Sequence, residues 1–424
     1  MFTYNRKVDK NILNKQKTKT LLHIDGDAFF VGVEVAKNPK LKGLPVVTGE
    51  ERGIVSALSY EAKALGITRC MPIFRVKIEF PSVIIMPGDY KSYVEYSNKM
   101  FEIVRRYADD VEEYSIDECF ADLTGLDRTL KMSYEEIALR IKKEINEELA
   151  LSVSIGLAPT KVLAKVASKW VKPNGFTIIE IGTASDFLKT FSIEKIWGIG
   201  PKTSEFLKSK NINTAGEFAE KSFEWIKNNL SSPYETIWRE LKGERILEID
   251  PEQKTTYSSI QKTRSFYPNT NDKTFLLSEL SKHVEDACAK ARHYELVPKK
   301  ISFFLKTSEF KFITSSLHLP TPTNSPEIII SLIYEKFTEM HKKNILYRTT
   351  GVILQELTLN YVSQKDLFGN SETADKLKLI HEQIDSLESK FGKRTVYLAS
   401  TQQAINNQRT GTDSDDLDRD LLFL

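Results

Sequence analysis

Two adjacent carboxylates, Asp117 and Glu118, stand inside the otherwise apolar run Tyr114-Ser115-Ile116-Asp117-Glu118-Cys119-Phe120. Burying a charge in such a run costs on the order of several kcal/mol unless something compensates it. Successive side chains of a strand point to opposite faces, so the two acids do not share one solvated edge. A bound cation is one compensation, and hard oxygen ligands suit magnesium or manganese. The other reading is a hairpin or strand end carrying two hydrated acids. A second stretch of the same kind comes earlier, at residues 21–31 (LLHIDGDAFFV), where a buried strand ends at Asp25 and turns into an apolar, helix-like stretch through Val35. Acids from two strands are what a site for two metal ions requires, since they must flank ions about 3.5–4 Å apart. Gly26 lets the backbone come close to a ligand, which offers its carbonyl as a further oxygen. Asp27 alternates to the other face from Asp25 and is either a further acid of the site or a surface or capping residue.

Other residues could serve such a site. Phe29 and Phe30 are core residues, or one of them floors a nucleotide pocket where it stacks on a sugar and excludes a 2′-hydroxyl. Tyr60 and Lys63 share a face at the start of a short helix closed by Gly66. A hydroxyl, a lysine and a helix N-terminus make a phosphate cradle, although the spacing also fits an ordinary surface helix. Lys172, just before Pro173, is held extended. It either presents its charge to a triphosphate or is a plain loop lysine. Residues 196–203 (IWGIGPKT) lead into a helix through Lys210 and read as a helix-hairpin-helix. Gly198, Gly200, Lys202 and Thr203 would bind DNA phosphate through exposed backbone N–H groups and a positive helix end. In the run 364–369 (QKDLFG), Gln364, Leu367 and Phe368 could plug an apolar pocket on a partner, or simply belong to a tail.

The elements that must position these groups follow from periodicity. Residues 91–108 and 133–150 have apolar residues at helical spacing and bracket the acidic strand 114–123, while 151–157 alternate as a strand. This order suits a split-βαβ sheet. Residues 251–265 look like a linker, and 256–361 alternate strand-like runs with helical ones at 275–293 and 326–341, a small α+β module. Lys262, Arg264, Lys282, Lys290, Arg292, Lys299, Lys300, Lys306 and Lys311 suggest a phosphate-tracking surface there. A last helix at 371–390 precedes a polar tail, 400–424, expected to be disordered.

At 424 residues the chain suggests two to four domains. Its 41% hydrophobic and 28% charged residues describe a soluble globular protein. Cys70, Cys119 and Cys288 are far apart and form no CxxC pair, which excludes a disulfide framework and argues for a reducing cytoplasm. No apolar run approaches the roughly 18–20 residues of a membrane span, and the basic N-terminus leads into no signal-type core. The net charge of +2 hides a lysine-rich start at 1–20 and an acidic end at 413–420.

Taken together, IDGDAFF at 24–30, SYEAK at 59–63, YSIDECF at 114–120, SIGLAPTKVLAKVASKWVKPNG at 154–175 and WGIGPKT at 197–203 resemble the Y-family (DinB/UmuC-type) translesion DNA polymerases. The resemblance runs over about residues 21–368. It implies a multidomain α+β fold shaped as a right hand. A split-βαβ palm would take residues 21–31 and 91–180, small fingers 32–90, and a helix-hairpin-helix thumb 181–250. A linker at 251–257 would lead to an α+β little finger at 258–361. A flexible basic arm, 1–20, and a tail, 362–424, with a clamp-binding peptide at 364–368 would flank them. It also implies that Asp25, Asp117 and Glu118 are catalytic and hold two Mg2+ ions, Mn2+ being a substitute, with the Gly26 carbonyl as a further ligand. Phe30 falls on the sugar-selecting steric gate, and Phe29, Tyr60, Lys63 and Lys172 on triphosphate-binding positions. The family usually has arginine where Lys63 stands; lysine keeps the charge but loses the bidentate fork. Primer–template DNA, a dNTP and the sliding clamp are the implied partners of a cytoplasmic, membrane-free monomer. Short fingers and the lack of an exonuclease-sized segment imply error-prone copying. A non-catalytic DNA- and clamp-binding homologue would have lost the carboxylates. A nucleotidyl cyclase would have no use for a helix-hairpin-helix.

Overall fold

The computed structural model describes residues 20–252, 257–359 and 370–407. Their contacts form two compact units, residues up to 252 and residues 257–407. No helix among the described residues is long and apolar enough to cross a membrane.

The first unit opens with β1 (Leu21–Gly26), which runs into α1 (Phe29–Lys37). A small excursion follows: β2 (Val46–Thr48), β3 (Ala57–Leu58), α2 (Tyr60–Ala64), α3 (Ile73–Glu79) and β4 (Ile84–Met86). Its three strands, in the order β3-β2-β4, cover a core of Val47, Val55, Ala62, Ile67, Ile73 and Val76. The chain returns through α4 (Tyr90–Arg105), β5 (Val111–Ser115), β6 (Glu118–Asp122), α5 (Leu126–Leu130), α6 (Tyr134–Leu149), β7 (Val153–Ala158), α7 (Lys161–Trp170) and β8 (Phe176–Ile178). The helices expected at 91–108 and 133–150 are α4 and α6; a capping box of Ser133 and Glu136 fixes the start of the latter. Five strands align as β5-β6-β1-β7-β8. β1 is antiparallel to both β6 and β7, and β6 to β5, so β1 and β5 run parallel with one strand between them. That is the split-βαβ topology.

Strand alternation gives this sheet two different faces. Leu22, Ile24, Cys119, Ala121, Val153, Ile155 and Leu157 form one core with the apolar stripes of α4 and α6. The opposite face carries Leu21, His23, Asp25, Glu118, Phe120, Ser154 and Gly156, and α7 lies across it. α7 is flush with the sheet because Gly156 has no side chain: a Cβ there would sit 2.2 Å from the Ala164 carbonyl oxygen and 2.4 Å from the Ser168 nitrogen. α8 (Ala184–Thr190), α9 (Pro201–Ser209), α10 (Ala215–Ala219), α11 (Phe223–Asn229) and α12 (Ser232–Leu241) pack beyond α7 around Phe191, Ile196, Leu207, Phe218 and Trp238. Glu240 ties this helical group to α7. Its fully buried carboxylate accepts the N–H of Val162 at 3.2 Å and those of Ile246 and Leu247 at 2.7 and 2.8 Å.

The second unit comprises β9 (Ser259–Thr270), α13 (Lys273–His293), β10 (Leu296–Thr307), β11 (Phe312–His318), α14 (Pro326–Met340), β12 (Tyr347–Leu359), α15 (Asn370–Phe391) and α16 (Gln402–Asn406). Its antiparallel sheet has the order β11-β10-β12-β9, and one face closes a core with α13 and α14. The polar stretch around residue 400, expected to be disordered, is folded as far as residue 407. Ala404 and Thr401 are buried against α13, the Leu398 N–H donates to Glu285 at 2.8 Å, and the Ala404 N–H donates to Ser278 at 2.9 Å. Periodicity missed it because few apolar residues are involved; hydrogen bonds to polar groups of α13 do the anchoring.

Candidate active site

Asp25, at the end of β1, is paired across the sheet with Glu118 on β6 and with Ser154 on β7. The two carboxylates therefore leave one face from directly opposite positions, where Cβ atoms lie about 4.5–5.5 Å apart. Asp117 arrives differently. The run 114–120 is not one strand; Ile116 and Asp117 make the turn between β5 and β6. The Asp117 carbonyl accepts the Gly26 N–H at 2.8 Å, and its Oδ1 accepts the Ser115 hydroxyl at 2.7 Å. A hairpin turn, and not the alternation of a pleat, separates Asp117 from Glu118.

Lysines answer two of these acids. Lys172 is hydrogen-bonded to Asp25 Oδ1, and Lys165 Nζ donates to Glu118 Oε2 at 2.6 Å. Among the described residues no three or more His, Cys, Asp or Glu are gathered closely enough to form a ready ligand cluster. Burial pushes the Asp25 carboxyl up, against the pull of Lys172. Burial also raises Asp117, as do Asp25 and Glu118, with the Ser115 hydroxyl and the field of Arg69 opposing. Glu118 is desolvated too, yet it is held well below the usual carboxylate range by His23 and Lys165 beside it. His23 is wholly buried, burial lowers its own pKa, and its Nε2 lies 3.8 Å from Glu118, so the ammonium of Lys165 supplies the charge. Three carboxylates from neighbouring backbone positions, two of them raised in pKa, form an all-oxygen set that a divalent cation would relieve. The residues fit such a cation.

Around this centre the expected residues sort unevenly. The Tyr60 phenol, at the start of α2, is pushed up by burial and by Asp27 and Asp25, so it stays protonated beside the acids. Lys63 lies exposed, 5.9 Å from the Tyr60 ring. Phe30 is half-buried and stacks on Tyr93, with centroids 4.3 Å apart and planes 9° apart. The Phe29 side chain belongs to the core at 4% exposure, one of the two readings of the sequence, while its backbone N–H lies in the uncapped first turn of α1. The surface reading of Asp27 is corrected. It is buried, not a surface residue, and accepts the hydroxyls of Ser152 and Ser154 at 2.8 Å each and the Asn174 N–H at 2.7 Å. It thereby holds the turn that presents Lys172.

In the hairpin ahead of α9, Gly198 has φ +86° and Gly200 caps a helix start that no side chain satisfies. Gly198, Gly200 and Lys202 are exposed, whereas the Thr203 hydroxyl is bonded to Tyr234 at 2.7 Å and turned into the helical group. Gln364, Leu367 and Phe368 lie outside the described residues. In the second unit, four of the nine basic residues face inward. Arg264 pairs with Glu279 at 2.9 Å, Arg292 with Asp385 at 2.7 Å, and Lys282 and Lys290 are buried. Sequence reasoning missed His23, Arg69, Lys165 and Lys169. Lys161, Lys165 and Lys169 recur every four residues along an otherwise apolar helix, the spacing of one face, and that was the available signal.

The chain is similar to known proteins over most of its length. The profile of the impB/mucB/samB family matches residues 24–169, and that of the impB/mucB/samB family C-terminal domain matches 257–367. DNA polymerase IV 1 of Bacillus subtilis (strain 168) is 31% identical over 402 residues, covering 93% of this chain and 96% of that protein. DNA polymerase IV of Dehalococcoides mccartyi (strain CBDB1) is 34% identical over 311 residues, covering 72% of this chain and 78% of that one. Among solved structures, a Y-family DNA polymerase chimera of Dbh and Dpo4 superposes with a TM-score of 0.67 at 26% identity, over 80% of this chain and 100% of its own. A Dbh ternary complex gives a TM-score of 0.55, also at 26% identity, over 80% and 99%. The register of Asp25 against Glu118, the split-βαβ sheet and both family profiles lead to one conclusion: the chain belongs to the impB/mucB/samB family, as a Y-family polymerase of the DinB type.

Proposed function

We propose that this DNA-directed DNA polymerase copies templates past damaged bases and transfers nucleotides with two divalent cations. The observation that carries the reading is the placement of Asp25, Asp117 and Glu118. Two are opposed across adjacent strands, and the third lies in a turn bonded to Gly26. When bound, the cations supply charge that lowers the pKa of the primer 3′-hydroxyl and offsets that of the leaving pyrophosphate. The three carboxylates and the Gly26 carbonyl would hold them, and this hard-oxygen set suits magnesium, with manganese as a substitute.

The other residues bind and orient. Lys172, Tyr60, Lys63 and the uncapped amides of α1 would bind the triphosphate, with the Lys172 ammonium placed beside Asp25. Phe30, braced by Tyr93, walls off the space of a ribose 2′-hydroxyl. The hairpin with Gly198, Gly200 and Lys202 holds the duplex by its phosphates, without reading sequence. The fingers, with strands of only two or three residues, place little protein over the nascent pair, so mismatched or damaged bases are weakly rejected. Gln364, Leu367 and Phe368 are proposed to dock a sliding clamp, and the enzyme to work as a cytoplasmic monomer. The test is extension of an undamaged primer–template with Mg2+ and four dNTPs, wild type beside Asp117→Ala/Glu118→Ala. Short, distributive extension that the double variant loses is the expected result; equal extension by both would place the chemistry on other residues.

A further inference from the structure

Lys165 sits between the candidate DNA-phosphate hairpin and the carboxylates. Its ammonium donates to Glu118 Oε2 at 2.6 Å and also lies 4.1 Å from the centre of the Tyr114 ring and 5.0 Å from that of Trp197. Only 5% of the Lys165 side chain is exposed, so these contacts act with little screening by water. The two rings are locked to each other. The Trp197 indole N–H donates to the Tyr114 hydroxyl at 2.8 Å, and the rings meet edge to face at 5.2 Å and 82°. Phe120 closes the group, 5.9 Å from each ring. Tyr114 and Phe120 belong to the hairpin that carries Asp117 and Glu118. Trp197 immediately precedes Gly198, where a Cβ would lie 2.7 Å from Ile237 Cδ1. The hairpin at Gly198 therefore packs against the Ile237 side chain of α12.

We propose that Trp197 and Tyr114 are positioning residues that cage the Lys165 ammonium, and that Lys165 in turn sets Glu118 for the cation. Engagement of duplex phosphate at Gly198–Gly200 is thereby linked to the geometry of a metal-binding carboxylate. The inference rests on the polymerase reading for its consequence in catalysis. The linkage itself rests on the contacts above. A lysine stem has several rotatable bonds and its ammonium has no preferred plane, so Lys165 alone would hold Glu118 loosely. The two ring faces limit where the charge can lie. A cation held at the other Glu118 oxygen would draw charge from the carboxylate and weaken its hold on the ammonium, which would then shift against the indole.

The experiment uses the full-length protein bound to primer–template, with Ca2+ as a cation that occupies the site without turnover. Tryptophan emission is titrated for wild type, Trp197→Phe, Lys165→Met and Tyr114→Phe. A Ca2+-dependent change is expected in the wild type and absent in Trp197→Phe and in Lys165→Met. A role for Trp197 as mere packing would leave Lys165→Met indistinguishable from wild type, and that result overturns the proposal. Single-turnover extension with Mg2+ supplies the second arm. Trp197→Ala and Lys165→Met should each slow the chemical step by about 10- to 100-fold, the scale of a displaced reacting group, with dNTP affinity nearly unchanged. The double variant should be no slower than the worse single one; losses that multiply would overturn the linkage. If Trp197→Ala fails to fold, Trp197→Phe combined with Lys165→Met takes its place. A wild type that shows the Ca2+ titration but extends no primer would sink the polymerase reading and leave the linkage standing.

Discussion

Asp117 and Glu118 are neighbours with opposite electrostatics, and they predict opposite stability effects. The Asp117 pKa is raised above the ordinary aspartate value of 3.8, chiefly by burial. An acid raised on folding contributes stability that is full below its unfolded pKa and is lost as pH rises through the folded one. At neutral pH Asp117 is therefore a cost in the cation-free protein. Glu118 is lowered from 4.5, with His23 and Lys165 outweighing its burial, so its contribution is present above 4.5 and is lost as pH falls toward the folded value. Asp117→Asn should raise the metal-free melting temperature at pH 7 and Glu118→Gln should lower it, each by on the order of 1 kcal/mol in stability. Mn2+ should raise the wild-type melting temperature and leave Asp117→Asn unmoved. Thermal melts with and without Mn2+ check both signs, and a lower melting temperature for Asp117→Asn would contradict them. At Phe30, whose ring is fixed face to face on Tyr93, truncation to Ala should cut discrimination against ribonucleotides by at least about 10-fold. Paired dNTP and rNTP incorporation assays measure it; unchanged discrimination would move the gate elsewhere.

At the scale of elements, α7 is the part that brings the site together. One face of this helix carries Lys161, Lys165 and Lys169 over the sheet, and its end leads into the turn that presents Lys172. Its seat depends on Gly156, where an added methyl would meet the Ala164 carbonyl oxygen at 2.2 Å. Backbone cannot yield there as a flexible side chain could. Gly156→Ala should destabilise the protein by about 1–3 kcal/mol, the range for overpacking, and should reduce primer extension in the fraction that still folds. Urea unfolding read beside activity tests this. A variant with wild-type stability would show that α7 can lift off without loss.

At the scale of the molecule, the two units have separate cores, the first built on the five-stranded sheet and the helices around it, the second on the four-stranded sheet with α13 and α14. Two cores without shared cooperativity unfold as two steps. Calorimetry should resolve two transitions, and Mn2+ should move only the one that Asp117→Asn also moves. A single transition shifted as a whole by Mn2+ would mean that the units fold as one.

The residue types at 24–30, 114–120 and 197–203 determined the family and singled out the candidate catalytic acids and the candidate DNA-phosphate hairpin, because each depends on local chemistry: a carboxylate at a strand end, a glycine at positive φ, an uncapped helix start. Periodicity placed α4, α6, α13 and α14, whose buried faces repeat at the helical period. Tertiary structure alone decided the rest. It turned Asp27 inward to Ser152, Ser154 and Asn174, took Phe29 into the core, and gave Asp117 to a turn. It also chose the partners of the lysines, setting Lys165 on Glu118 and between two rings from different elements, while drawing four basic residues of the second unit inward. A charge's partner depends on what lies within a few ångströms of it in space, and residues 47 positions apart, such as Glu118 and Lys165, become neighbours only when a helix is laid across a sheet.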